Sequence, residues 1–123
     1  MGHAKEILKK TTEKMIHTPK AQAVFVTNIA GNDVDWKMSF QFNLDKDEPF
    51  FLEIKDRKIN LSDGTKLDAP IVISGKSDAI MRICEGKGDF THAISREEIT
   101  VERGKVMDVI RLTRAITIVL KTK

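Results

Sequence analysis

Three histidines, one cysteine and a scatter of carboxylates are the residues of this 123-residue chain with chemistry to offer. His3, His17 and His92 lie in three different stretches, and none forms an HExxH pair or another spacing that suits zinc. Cys84 sits on the apolar side of a short helical pattern with Ile80 and Ile83, where a thiol behaves as a small hydrophobe rather than a nucleophile. Asp33, Asp35, Asp45, Asp47 and Glu48 are dense, but they flank turns and lack the fixed ligand spacing of a calcium loop. Gly86-Lys87-Gly88 has only two glycines and is followed by Asp89, which repels phosphate. Asp63-Gly64 lacks the strand–loop–helix frame that ends in Lys-Ser/Thr. These spacings predict no catalytic residues, no metal, no cofactor and no enzyme.

What remains is apolar, and it is concentrated. In residues 34–44 the even positions are Val34, Trp36, Met38, Phe40, Phe42 and Leu44, and the odd ones are Asp35, Lys37, Ser39, Gln41 and Asn43. A strand sends successive side chains to opposite faces, so this pattern predicts one unbroken strand with an apolar face and a wet face. Five of the seven aromatic residues lie between Trp36 and Phe51, so whatever the sheet holds, it holds there. Lys37 is the only basic residue of the stretch, which argues against a base-stacking platform and against nucleic acid as a partner.

The elements that must position this face can be taken in order. Residues 4–16 read as an amphipathic helix, with Ala4, Leu8, Thr11 and Met15 on one side, flanked by Ile7 and Ile16. Lys9, Lys10, Lys14, Glu6 and Glu13 fall opposite, a solvated face or one that touches anionic membrane. Pro19 ends this helix. Residues 21–30 read as a strand, rich in Val, Phe, Thr and Ile, and Gly31-Asn32-Asp33 turns it into the apolar stretch. Residues 50–55 form a strand with Phe50, Leu52 and Ile54 inward. The phase then changes at Asp56-Arg57-Lys58, giving a turn or bulge before Ile59 and Leu61. Residues 69–74 are a β-branched strand that Pro70 either starts or admits from an edge. Ser77 caps a short helix that Gly86 stops, and Asp89 caps a shorter one carrying Phe90, Ala93 and Ile94. Residues 98–102 alternate as a strand with Ile99 and Val101 inward. Residues 105–120 form the last helix, whose apolar arc of Val106, Val109, Ile110, Leu112, Ile116 and Leu120 opposes Asp108, Arg111, Arg114 and Lys121. Met107 and Ile118 fall among those charges, so this helix carries more apolar surface than packing needs.

Size and balance fit that outline. The chain is 41% apolar and 32% charged, with 21 basic against 18 acidic residues, a net charge of +3 and a pI of about 9.0. This predicts one soluble domain spanning residues 1–123, with mild attraction to anions. No apolar run is long enough to span a membrane or serve as a signal peptide, and one cysteine excludes an internal disulfide. A cytoplasmic location is expected.

The order of segments resembles the sterol carrier protein type-two (sterol-transfer) family over roughly residues 36–120. The likeness is carried by Leu67-Asp68-Ala69 before a β-branched strand, and by Ile80-Met81-Arg82-Ile83 leading into Gly86-Lys87. Ala93-Ile94, the strand Ile99-Thr100-Val101 and Val109-Ile110-Arg111-Leu112 in the last helix complete it. It departs from the family pattern at loops: Asp68 precedes Ala69 rather than following it, and Arg96-Glu97-Glu98 stands where the family has Gly-Lys. The resemblance implies an α/β (α+β) fold, a mostly antiparallel five-stranded sheet with helices packed on one face. It also implies an apolar tunnel between sheet and helices that binds, and in some members transfers, fatty acyl chains, sterols or other lipids without chemistry. On this chain the expected lining is Trp36, Met38, Phe40 and Phe42 from the sheet, Ile80, Ile83, Phe90 and Ile94 from the short helices, and Val109, Leu112 and Ile116 from the last one. The expected partner is a lipid or other hydrophobic small molecule. Transient contact with an anionic membrane surface and a homodimer stay open, as does the alternative of a filled interaction module whose partner face is marked by Met107 and Ile118.

Overall fold

The computed structural model describes residues 4–88 and 90–121. The helical cap expected at Asp89 lies outside these residues. Helix α1 (Ala4–Ile16) buries Ala4, Leu8, Thr11, Thr12 and Met15, the side its periodicity marks. Its neighbour departs from expectation. Pro19 occupies the first turn of a new helix, α2 (Pro19–Gln22), for which its fixed φ is already suited, and Thr18 before it is extended. A 3-10 turn follows (Ala23–Phe25), so only Val26–Ile29 (β1) is strand. Ala21 and Phe25 are fully buried and four residues apart, a helical spacing hidden behind strand-like composition.

The long alternating stretch is also divided. Its first part, β2 (Asn32–Asp35), pairs with β1 in a separate two-stranded ribbon, and Ala30-Gly31 forms the connecting turn, with φ of +52° and +84°. All four residues of β2 are exposed. The chain leaves the ribbon at Trp36, whose N–H donates to the Phe25 carbonyl at 2.6 Å, and re-enters a strand at β3 (Met38–Leu44). Trp36 packs against Phe25 and, edge-on, against Phe40, with ring centroids 6.2 and 5.9 Å away. One alternation in the sequence is therefore two strands in two sheets.

The main sheet has the order β5-β4-β3-β6-β7. Its members are β3, β4 (Phe50–Lys55), β5 (Lys58–Asp63), β6 (Ile71–Gly75) and β7 (Ile99–Arg103). Three neighbouring pairs are antiparallel and β3–β6 is parallel. The phase change after residue 55 is the two-residue turn Asp56-Arg57, both at positive φ, which sets Ile54 opposite Ile59 and Leu52 opposite Leu61. Pro70 stands just before the first ladder residue of β6, an interior strand, so it enters without removing a ladder hydrogen bond. Phe40, Phe42, Leu52, Ile54, Ile71 and Ile73 form the buried face, with Phe42 and Phe50 stacked 5.1 Å apart. The opposite face is not uniformly wet. Gln41 is buried there, because the 64–69 crossover loop lies over it: Oε1 accepts from the Lys66 N–H at 2.6 Å, and Nε2 donates to the Phe50 carbonyl at 3.2 Å.

Helices α3 (Ser77–Cys84), α4 (Phe90–Ser95) and α5 (Val106–Lys121) complete the layer with α1. Gly86 stops α3 at a φ of +79°, as expected. Ser77 is not the cap of α3. Lys76 holds that position, while Ser77 is fully buried in the first turn and its N–H donates to Asp45 Oδ1 at 2.9 Å. The Ser77 hydroxyl in turn accepts from the Lys46 N–H at 3.1 Å. The helix start is thus fixed by the end of β3 rather than by its own side chain. Arg111 also departs from expectation. It does not face solvent with the other charges of α5; it is half-buried and reaches back to the ribbon.

Candidate hydrophobic-ligand site

The eleven residues expected to line a tunnel are brought together between sheet and helices. Phe40, Phe42, Ile80, Ile83, Phe90, Val109, Leu112 and Ile116 are 0–3% exposed and pack in one cluster. Trp36, Met38 and Ile94 are half-buried against it. A space of about 30 Å³ borders Ile83, beside Ala79, Arg82 and Ala93.

A larger concavity opens elsewhere, in the helix layer. It is about 790 Å³, and its walls come from α1, the end of α3 and the last turns of α5. From α1 and the residues after it come Ile7, Lys10, Thr11, Lys14, His17 and Thr18; α3 supplies Cys84, and α5 supplies Val119 and Leu120. The floor behaves as apolar although it contains two threonines. The Thr11 hydroxyl donates to the Ile7 carbonyl at 3.0 Å, and the Thr18 hydroxyl donates to the Lys14 carbonyl at 2.7 Å. Both donors are thus spent on the helix backbone. Cys84 is buried, and burial pushes its thiol up to about 11, against the smaller opposing effect of a hydrogen bond with Thr11. It is a neutral, soft wall residue rather than a nucleophile.

The rim is basic. Lys10 and Lys14 stand at i and i+4 on one stripe of α1, and His17 follows three residues on, just past the end of the helix. All three are exposed, and no carboxylate is among the described lining residues. The arrangement can hold an apolar body while offering charge-assisted hydrogen bonds to an anionic end. Among the described residues no group of three or more His, Cys, Asp or Glu could hold a metal ion. No helix among them is long and apolar enough to cross a membrane. Sequence reasoning placed Lys10 and Lys14 on a solvated face and Cys84 in the core. The signal for a site was the i, i+4 basic stripe beside Ile7 and Thr11, which needs the tertiary neighbours Val119 and Leu120 to acquire meaning.

The architecture has counterparts among solved structures. A crystal structure of sterol carrier protein 2 superposes with a TM-score of 0.63, covering 100% of this chain and 98% of that one at 11% identity. This chain has the fold of sterol carrier protein 2. A solution structure from Thermus thermophilus, put forward as a sterol carrier protein, matches with a TM-score of 0.63 over 94% of this chain and 82% of that one, at 13% identity. The sterol carrier protein 2 of Aedes aegypti, in complex with palmitate, matches with a TM-score of 0.56 over 88% and 96%, at 15% identity. The sequence matches no family model and no curated protein. At these identities the sterol carrier protein 2 likeness lies in the backbone: a mixed five-stranded sheet under a helix layer.

Proposed function

We propose that this chain binds a hydrophobic ligand with an anionic end, of the long-chain fatty acid type, and acts as a carrier rather than an enzyme. The observation that carries the reading is the α1–α3–α5 groove, an apolar floor of Ile7, Cys84, Val119 and Leu120 under a rim of Lys10, Lys14 and His17. Its volume, about 790 Å³, lies within the range of roughly 300–1,000 Å³ usual for small-molecule sites. The palmitate complex of a protein with this fold supports the ligand class.

The acyl tail lies along Ile7, Val119 and Leu120, and the carboxylate meets the basic rim. The interior residues enter as the layer beneath. Cys84 and Val119 belong to the same packed cluster as Ile80, Ile83 and Ile116, so a tail that presses past them meets the residues the sequence marks as lining. Selectivity follows volume and head charge, because the threonine donors of the floor are spent on the helix backbone.

Native mass spectrometry of protein purified from cells, followed by titration of delipidated protein with palmitate, tests the reading. Bound lipid, and palmitate-induced shifts of the Ile7, Thr11, Val119 and Leu120 resonances, are expected. A protein that comes out empty and leaves those resonances unmoved by palmitate sinks it.

A further inference from the structure

One face of α5 lies outside the ligand groove and meets the core only through Ile118. At 100° per residue, Met107, Ile110, Arg114, Thr117, Ile118 and Lys121 fall in a single stripe. The helix already buries Val109, Leu112, Ala115, Ile116 and Val119 on its inner side, and Ile118 packs part-buried against the same core, so its packing does not require Met107 and Ile110. Met107 is 71% exposed. Beside the stripe runs a depression of about 390 Å³, bounded by Thr91 of α4 and by Ile110, Thr113, Arg114, Thr117, Ile118 and Lys121 of α5. It shares no lining residue with the α1–α3–α5 groove.

We propose that this α4–α5 groove docks an acidic amphipathic helix of a partner protein. Two cations, Arg114 and Lys121, are exposed on it, and no carboxylate is among its described lining residues. They stand seven residues apart, two turns or roughly 10.5 Å along the axis, the repeat at which a docked helix presents its own side chains. The complementary occupant places apolar residues over Ile110, Thr117 and Ile118 and carboxylates over the two cations. A second copy of this chain fits poorly, because apposed stripes would bring Arg114 and Lys121 against their own kind. A bilayer also fits poorly. Ile110 and Ile118 are half-buried inside the concavity, where a flat surface does not reach them. The occupant differs from that of the ligand groove, and the inference stands whether or not that groove takes a lipid.

The test uses the full chain, labelled with nitrogen-15, and a synthetic helical peptide with Leu at i, i+3 and i+7 flanked by Glu. The same peptide with Lys for Glu, and phosphatidylglycerol vesicles, serve as competing probes. The acidic peptide should move the Thr91, Ile110, Arg114 and Ile118 resonances and bind at least about tenfold tighter than the Lys peptide. The Ile118→Asp variant should weaken it by about as much. Arg114→Glu combined with Lys121→Glu, both at exposed positions that leave the fold intact, should reverse the preference. Equal binding of both peptides, no movement of these resonances, movement by vesicles alone, or concentration-dependent self-association through this face would each overturn the proposal.

Discussion

The Arg111 guanidinium lies 4.2 Å from the centre of the Trp36 indole, and the same side chain donates to the Val24 carbonyl at 2.7 Å and to the Thr27 hydroxyl at 3.0 Å. One residue of α5 thus fastens the two-stranded ribbon, which among the described residues has no ladder to the main sheet. Desolvation lowers the Arg111 pKa, yet it remains charged at any ordinary pH. Replacing Arg111 with Met removes a cation–π contact and two charged hydrogen bonds and should destabilise the protein by about 2–3 kcal/mol in urea unfolding. Trp36 is the only tryptophan, so its fluorescence reports the site directly. Arg111→Lys should recover less than half of the loss, since an ammonium cannot stack and bond in the same plane. A Lys variant as stable as the parent would refute this account of the fastening.

The contact between Asp45 and Ser77 makes a pH-dependent clamp. The Ser77 backbone N–H bonded to its carboxylate holds Asp45 below the usual carboxylate range, outweighing the opposing desolvation. A carboxyl whose folded pKa is depressed contributes stability that is present above its unfolded pKa and lost as pH falls through the folded value. The start of α3 should therefore loosen below about pH 4. Hydrogen exchange at the Ser77 and Ala79 amides measures it. Asp45→Asn should speed that exchange at pH 7 and flatten its acid dependence. An unchanged profile in the variant would assign the acid sensitivity elsewhere.

Gly75 ends β6 at a φ of +144°, and a Cβ there would stand 2.3 Å from the Glu98 carbonyl oxygen and 2.8 Å from the Ile99 Cα. Both obstacles are backbone, and Glu98 is held by a further bond, from the Lys76 N–H to its carbonyl at 2.9 Å. Gly75→Ala should cost roughly 2–4 kcal/mol, combining left-handed strain with displacement of β7. Thermal unfolding would show the drop. A variant within about 0.5 kcal/mol of the parent would mean that the two strands separate more easily than the contact implies.

Much of this architecture is legible in the sequence where one period runs from end to end. Helix α1 keeps its bounds, and β4 turns Phe50, Leu52 and Ile54 inward as alternation demands. Legibility fails where a period survives a break. Val34 and Met38 share a phase, but Val34 is 45% exposed on the ribbon, because Trp36 folds back to Phe25 between them. Residues 19–25 mislead through composition: Val and Phe suggest a strand, while the fixed φ of Pro19 has already begun a helical turn. The α1–α3–α5 groove was hidden for a different reason. Large aromatic and branched residues such as Phe42 and Leu112 are the ones that core packing takes first. A cavity wall drawn from Ile7, Thr11, Cys84 and Leu120, in three separate elements, has no local signature.

Cys84 provides a probe of that groove from within. Its thiol is buried, with a pKa pushed up to about 11, so its thiolate fraction at pH 8 is roughly 0.1%. Alkylation by iodoacetamide in the native protein should be at least tenfold slower than in urea at pH 8, and should rise steadily with pH toward 11. The linkage has a definite sign. A thiol whose folded pKa is raised favours the folded state while protonated, so the contribution is full below the unfolded pKa and is lost between about pH 9 and 11. Because Cys84 lines the groove beside Val119 and Leu120, palmitate should slow alkylation further under native conditions and have no effect in urea. Rapid labelling at pH 8 would contradict the burial, whereas slow labelling that palmitate leaves untouched would place the acyl chain away from this wall.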